Sequence, residues 1–186
     1  MQVGIEPALG QQLRMRARFG DAALVEYHHP VGMLWATEGN YRQSGRMDAQ
    51  LKAGKPMQKR LWQQVVRSKL RMQATVLECV GAPSAPLLHL SEKVRSGDPE
   101  NIEAQGARTY WTLLFGAEFR RNRDVPGINA LLNYGYTVLR SATARAVMAS
   151  GLHPGLGLHH CNTLNAMRLV DDLMEPFRPL IDLRVH

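Results

Sequence analysis

Cysteine is scarce in this 186-residue chain, with Cys79 and Cys161 the only two and no Cys-x-x-Cys pair. That spacing argues against a disulfide framework or a zinc knuckle, and a reducing cytoplasm is the expected location. No apolar run reaches the about 18 to 20 residues a membrane span requires. Nor do the first residues carry the basic start and apolar block of a secretory signal, so neither a membrane span nor a targeting signal is expected. Internal repeats and low-complexity tracts are missing too, which removes solenoids and unstructured linkers. Acid is in deficit: 16 Asp and Glu stand against 23 Lys and Arg, for a net charge of +7. A field of that sign steers phosphates toward the protein, so a polyanionic partner or an acidic membrane surface is expected.

What is present is enough apolar residue, 45%, for one well-buried core. The fold class expected is mainly α. Only residues 22–35 carry short apolar runs suited to strands. Residues 56–80 open with Pro56, carry Leu61, Val65, Val66, Leu70, Ala74 and Leu77 along one face, and stop at Gly81. A shorter helix is expected over 87–95. The next runs from Pro99 to Phe115 with Asp98 as its N-cap, and its small residues Ala104, Gly106 and Ala107 invite another helix to approach closely. After a basic loop over 117–127, residues 128–150 repeat apolar side chains near a 3.6 period and read as the central core helix, ended by Gly151. A Gly- and Pro-containing loop then leads to Asn165, an expected N-cap for a last, acid-bearing helix.

That last segment holds the chemistry. Glu175 falls four residues after Asp171 and three after Asp172, so on one helix the carboxylates could converge on a shared face. Ionised carboxylates repel one another, and such a cluster calls for a cation. Oxygen ligands with one imidazole suit Mg²⁺ or Mn²⁺ working on phosphates, although a solvated acidic face is an equal reading of these three residues alone. His159 and His160 compete for the imidazole role. Cys161 reads as a small buried residue. Glu103 lies among small and apolar neighbours in its helix and needs a partner, either Arg108 or a metal; Glu78 carries the same ambiguity with a stronger expectation of exposure. Arg120, Arg121 and Arg123, with Arg108, Arg140, Arg145 and Arg178, could contact several phosphates if they share a surface.

The segments ENIEAQGARTYWTLLFG, INALLNYGYTVLR, GLHPGLGLHH and DDLMEPFRPLID, in that order and spacing, closely resemble the CRISPR-associated integrase of spacer acquisition, the protein numbered one among the Cas proteins. PVGML at 30–34 and QKRLWQQV at 58–65 look most like the form found in type II systems. The resemblance spans about residues 27–186. It implies a helical catalytic domain over 42–186, preceded over 1–41 by a non-matching leader and the remnant of an amino-terminal β domain. It implies further a shortened amino terminus and a family homodimer whose formation the missing β domain calls into question.

By the same resemblance, the catalytic and metal-binding residues are Glu103, His160 and Glu175. Asp172 is a supporting ligand or a group behind one, and Arg108, Arg120, Arg121, Arg123, Arg140 and Arg178 bind DNA. Mg²⁺ or Mn²⁺ would serve a 3′-hydroxyl that attacks a phosphodiester of the CRISPR repeat. The implied partners are the captured DNA fragment, the repeat, and the CRISPR-associated protein numbered two. Two other classes stand beside this one: a DNA- or partner-binding helical remnant without chemistry, and an unrelated metal phosphohydrolase acting on nucleotides.

Overall fold

The longest apolar stripe of the sequence becomes the axis of the fold. In this computed structural model, which describes residues 40–186, a helix over Asn40–Lys52 (α1) precedes one over Lys55–Cys79 (α2). The later helices are Ala85–Lys93 (α3), Ile102–Phe115 (α4), Ile128–Ala149 (α5), Arg168–Leu173 (α6) and Arg178–Val185 (α7), with a 3-10 turn over Glu175–Phe177. The described residues contain no strand. The strands expected over 22–35, and with them the β remnant, lie outside the described residues.

Helix α2 packs against α3, α4, α7 and the 3-10 turn. Its stripe of Trp62, Val65, Val66, Leu70, Ala74 and Leu77 is buried as the periodicity predicts. Each of its large side chains contributes about 1.5–3 kcal/mol through burial. The helix stops at Gly81, whose φ of 75° is a left-handed backbone that L side chains rarely adopt. Gly106 brings α4 against this axis: a Cβ there would stand 2.1 Å from Leu70 Cδ2. The small-residue expectation for that helix is therefore met at one specific contact.

Three expectations need correction. The helix expected from Pro99 starts at Ile102, because Asp98 and Asn101 both take positive φ (49° and 52°) and wind the chain through a turn first. Asp98 still caps it: its carboxylate accepts the Ile102 and Glu103 N–H groups at 2.8 and 3.0 Å. The second correction concerns α5, which is not the central helix. It packs on α6 and α7 and buries Asn129, Leu132, Tyr136 and Val147, while Leu131, Tyr134 and Val138 are exposed. Its periodicity is real, but α2 already occupies the axis.

The acid-bearing segment is also broken. Asn165 does not cap a helix; its Oδ1 accepts Met167 N–H at 2.9 Å within a turn, and α6 spans only six residues. Pro176 has no N–H to continue the helical ladder, so the chain tightens into the 3-10 turn before α7.

Candidate functional site

That break separates the three acids. Asp171 turns to Arg140, with Nε at 2.5 Å from its Oδ1, and to the Asn165 amide at 2.7 Å. Burial pushes its carboxyl up, but these hydrogen bonds and the guanidinium charge outweigh burial and hold it below the usual range. Asp172 turns to the 158–160 loop, and Glu175 to α2. The expected convergence of all three on one cation does not occur. Each has its own donor, which relieves the repulsion that the spacing implied.

What does converge is a pair from distant parts of the chain. Lys69 Nζ stands 2.6 Å from Glu103 Oε1 and 2.6 Å from Glu175 Oε2, so the two carboxylates lie within the span of two short ion-pair contacts. Burial of Lys69 disfavours its charge, yet Glu175 and then Glu103 more than offset this and raise its pKa. Arg178 Nε reaches the other oxygen of Glu175 at 2.8 Å. Glu103, only partly buried, thus has a partner, and it is neither Arg108, which is exposed, nor a neighbour on its own helix. Sequence reasoning missed Lys69. The signal was available: on α2 it falls one residue before Leu70 on the buried stripe, where a lysine requires an acid.

The second half of the site is a loop wrapped on one carboxylate. Asp172, fully buried, accepts the N–H groups of Leu158, His159 and His160 at 2.6, 3.1 and 3.4 Å, and its Oδ1 lies 2.5 Å from His160 Nδ1. The hydrogen bond to Asp172 raises the His160 pKa, against the opposing effect of burial. Gly157 permits the wrap, since a Cβ there would meet Arg168 Cβ at 2.8 Å and Asp172 Oδ2 at 3.0 Å. The two histidines part company here. His159 stacks flat on Trp62 (4.3 Å between ring centroids, 5° between planes), whereas His160 is held edge-on to the same indole at 6.2 Å. Cys161 is exposed rather than buried.

Beneath the acid pair, Asp182 accepts the Tyr110 hydroxyl at 3.1 Å and the Tyr136 hydroxyl on its other oxygen. Burial pushes this carboxyl up to about 7 and both phenols above their ordinary value. Arg178 lies 4.7 Å over the Tyr136 ring, which ties the network to Glu175.

The expected DNA-binding arginines divide into two groups. Arg121 is locked to Asn129 and Asn133 of α5 at 2.9 and 2.6 Å, Arg140 to Asp171, and Arg178 to Glu175. Arg108, Arg120, Arg123 and Arg145 are exposed, although Arg120 bends back to the carbonyls of Ala117 and Phe119. Glu78 is exposed and accepts the Ser84 hydroxyl at 2.9 Å.

Among the described residues, no three His, Cys, Asp or Glu side chains stand together as a ready metal cluster. The donor chemistry nevertheless fits a hard divalent ion in one respect: Glu103 and Glu175 already close on a cation, the Lys69 ammonium, at ion-pair distance. His160 keeps Nε2 outside its pairing with Asp172.

A family model described as CRISPR associated protein Cas1 matches residues 13–185, beginning earlier than the residues that carry the resemblance. The CRISPR-associated endonuclease Cas1 of Neisseria meningitidis serogroup C (strain 8013) is 46% identical over 158 residues, 84% of this chain and 52% of that protein. A CRISPR-associated exonuclease Cas4/endonuclease Cas1 fusion of Geobacter sulfurreducens is 36% identical over 96 residues, 50% of this chain and 15% of the fusion. Among solved structures, a casposase bound to integration product aligns with a TM-score of 0.65 at 23% identity, over 77% of this chain and 49% of that one. The last of these establishes likeness of fold. The chain spans about half the length of the Neisseria relative.

Proposed function

Because this chain belongs to the Cas1 family of CRISPR-associated proteins, we propose that it is a DNA endonuclease and integrase of spacer acquisition, with Glu103, His160 and Glu175 as the holders of a Mg²⁺ or Mn²⁺ ion. The observation that carries this reading is the meeting of Glu103 and Glu175 on one cation, from helices far apart in sequence. A bound divalent ion supplies Lewis-acid polarisation of a phosphate and lowers the pKa of an attacking hydroxyl. In the integration reaction a 3′-hydroxyl oxygen bonds to phosphorus while the phosphodiester bond of the repeat strand breaks and leaves a new 3′-hydroxyl. Water in place of the first hydroxyl gives nuclease cleavage.

The chain's own residues have separable roles in this proposal. Asp172 fixes the His160 ring through Nδ1 and leaves Nε2 as the nitrogen that would hold a metal ion. Arg178 pairs with the second oxygen of Glu175 at 2.8 Å and places a positive charge beside that carboxylate. The exposed Arg108, Arg120 and Arg123 take backbone phosphates, a contact that positions DNA without reading its sequence. The protospacer fragment, the CRISPR repeat, a second copy of the chain and the CRISPR-associated protein numbered two are the partners of this reading.

A second reading, a helical body that binds DNA through its exposed arginines without chemistry, rests on Arg108, Arg120 and Arg123 alone. Incubation with splayed or branched DNA, with Mn²⁺ and with EDTA, separates the two. The endonuclease reading expects metal-dependent strand cleavage or joining that is lost in Glu175→Ala and His160→Ala variants that still fold. Binding without turnover under every metal condition would favour the second.

A further inference from the structure

We propose that Lys69 is a tethered counter-cation for the metal centre: it holds Glu103 and Glu175 together when no divalent ion is present, and it competes with that ion for them. The inference rests on the reading of those two acids as metal ligands. It adds a residue, and a determinant of metal affinity, to that reading.

Three observations support it. First, one ammonium bridges both carboxylates at equal, short distances of 2.6 Å, the placement expected of a cation at the focus of two anions rather than of a pair formed in passing. Second, that ammonium comes from a lysine of the central helix that flanks its buried stripe, with only 12% of the side chain exposed. A lysine so placed is costly unless its charge is matched, and here two anions match it. Third, the two acids depend on it unequally. Glu175 has Arg178 as a second cation at 2.8 Å, whereas among the described residues Lys69 is the one cation paired with Glu103. The carboxylate of Asp98 sits beside the Glu103 backbone as its cap, so negative charge is close by as well. Without Lys69, Glu103 would face Glu175 uncompensated.

A divalent ion that takes ligands from both acids must displace the ammonium from at least one of them. The flexible four-carbon stem of lysine lets it withdraw in a way a shorter or more rigid cation does not. Lys69 therefore costs metal affinity and, in exchange, keeps the acid pair assembled before metal arrives.

The test combines Mn²⁺ titration by calorimetry with thermal melting in EDTA and in Mn²⁺, on the full chain. Lys69→Met is expected to bind Mn²⁺ about tenfold or more tightly than wild type, the effect of removing one like charge from contact distance. It is expected to melt lower in EDTA by about 4 °C or more, with the deficit recovered by Mn²⁺. Lys69→Arg, which keeps the charge, should stay near wild type in EDTA. Adding Glu103→Gln to Lys69→Met should restore melting in EDTA while abolishing the gain in Mn²⁺ affinity. A Lys69→Met chain that folds only with Mn²⁺ equally bears the proposal out. Mn²⁺ affinity that is unchanged or weaker, or a chain rescued by neither Mn²⁺ nor Glu103→Gln, overturns it. Wild type that binds no Mn²⁺ would instead dispose of the metal reading itself.

Discussion

His160 Nδ1 meets Asp172 Oδ1 at 2.5 Å, on the same carboxylate that gathers three successive backbone N–H groups of the loop bearing the histidine. One buried acid thus sets both the path of the loop and the orientation of the ring. Replacing Asp172 by Ala leaves those N–H groups without their acceptor and should cost about 3 kcal/mol of folding stability. Asp172→Asn keeps the shape but weakens acceptance and should reduce metal-dependent DNA cleavage by about 10- to 100-fold with a smaller stability loss. Urea denaturation and a cleavage assay on the same preparations check both.

Asp182 supplies a pH dependence. Its folded pKa is raised from 3.8 to about 7 by burial between Tyr110 and Tyr136. The folded state therefore holds a proton that the unfolded chain has released over this interval. Its contribution to stability is complete below the unfolded pKa and is lost as pH rises through the folded pKa, by up to about 4 kcal/mol. Asp182→Asn should remove this slope. Chemical denaturation at intervals from pH 5 to 8, for both proteins, measures it as a difference.

Packing at Gly106 gives a control remote from ionic effects. Gly106→Ala places a methyl 2.1 Å from Leu70 Cδ2 and should destabilise by about 1–3 kcal/mol. Lowering the volume opposite, with Leu70→Ala added, should recover less than its own cavity costs. The pair forms a double-mutant cycle whose coupling term reports the contact.

Charge on the surface and charge in the scaffold should behave differently toward DNA. Arg108 and Arg123 are exposed, and changing either to Ala should lower affinity for any duplex and reduce the salt slope by about one. Arg140→Ala strands the partly buried Asp171 and should show first as lost folding stability. Binding isotherms at several salt concentrations, beside melting curves, distinguish the two classes.

The sequence made the helical framework legible where one face of a segment alternates cleanly at helical spacing. The stripe of α2, the close approach at Gly106 and the stop at Gly81 follow from side-chain size and backbone freedom alone. The rank of the helices was not legible. The period of α5 resembles that of a core helix, but periodicity reports an apolar face and not how much of it a neighbour covers. Local spacing also misled at the carboxyl end, where Pro176 interrupts the turn that would have joined Asp171, Asp172 and Glu175 on one face.

The pairing of Glu103 with Glu175 could be read only through family likeness, because contacts between distant helices leave no mark in local spacing. Lys69 and the Tyr110–Asp182–Tyr136 network escaped the reading altogether. A charged residue at or beside a buried register position was their shared sign: Lys69 next to Leu70 on α2, and Asp182 in the short last helix.

The proposed metal centre is tested most directly by titrating the full chain with Mn²⁺ and following the free ion by electron paramagnetic resonance. Wild type should remove one ion per chain from the free signal, and Glu175→Gln and Glu103→Gln should each leave that ion in solution while keeping wild-type helicity. Retention of the ion by both variants as by wild type, or no uptake by wild type, would contradict the assignment of these acids as metal ligands.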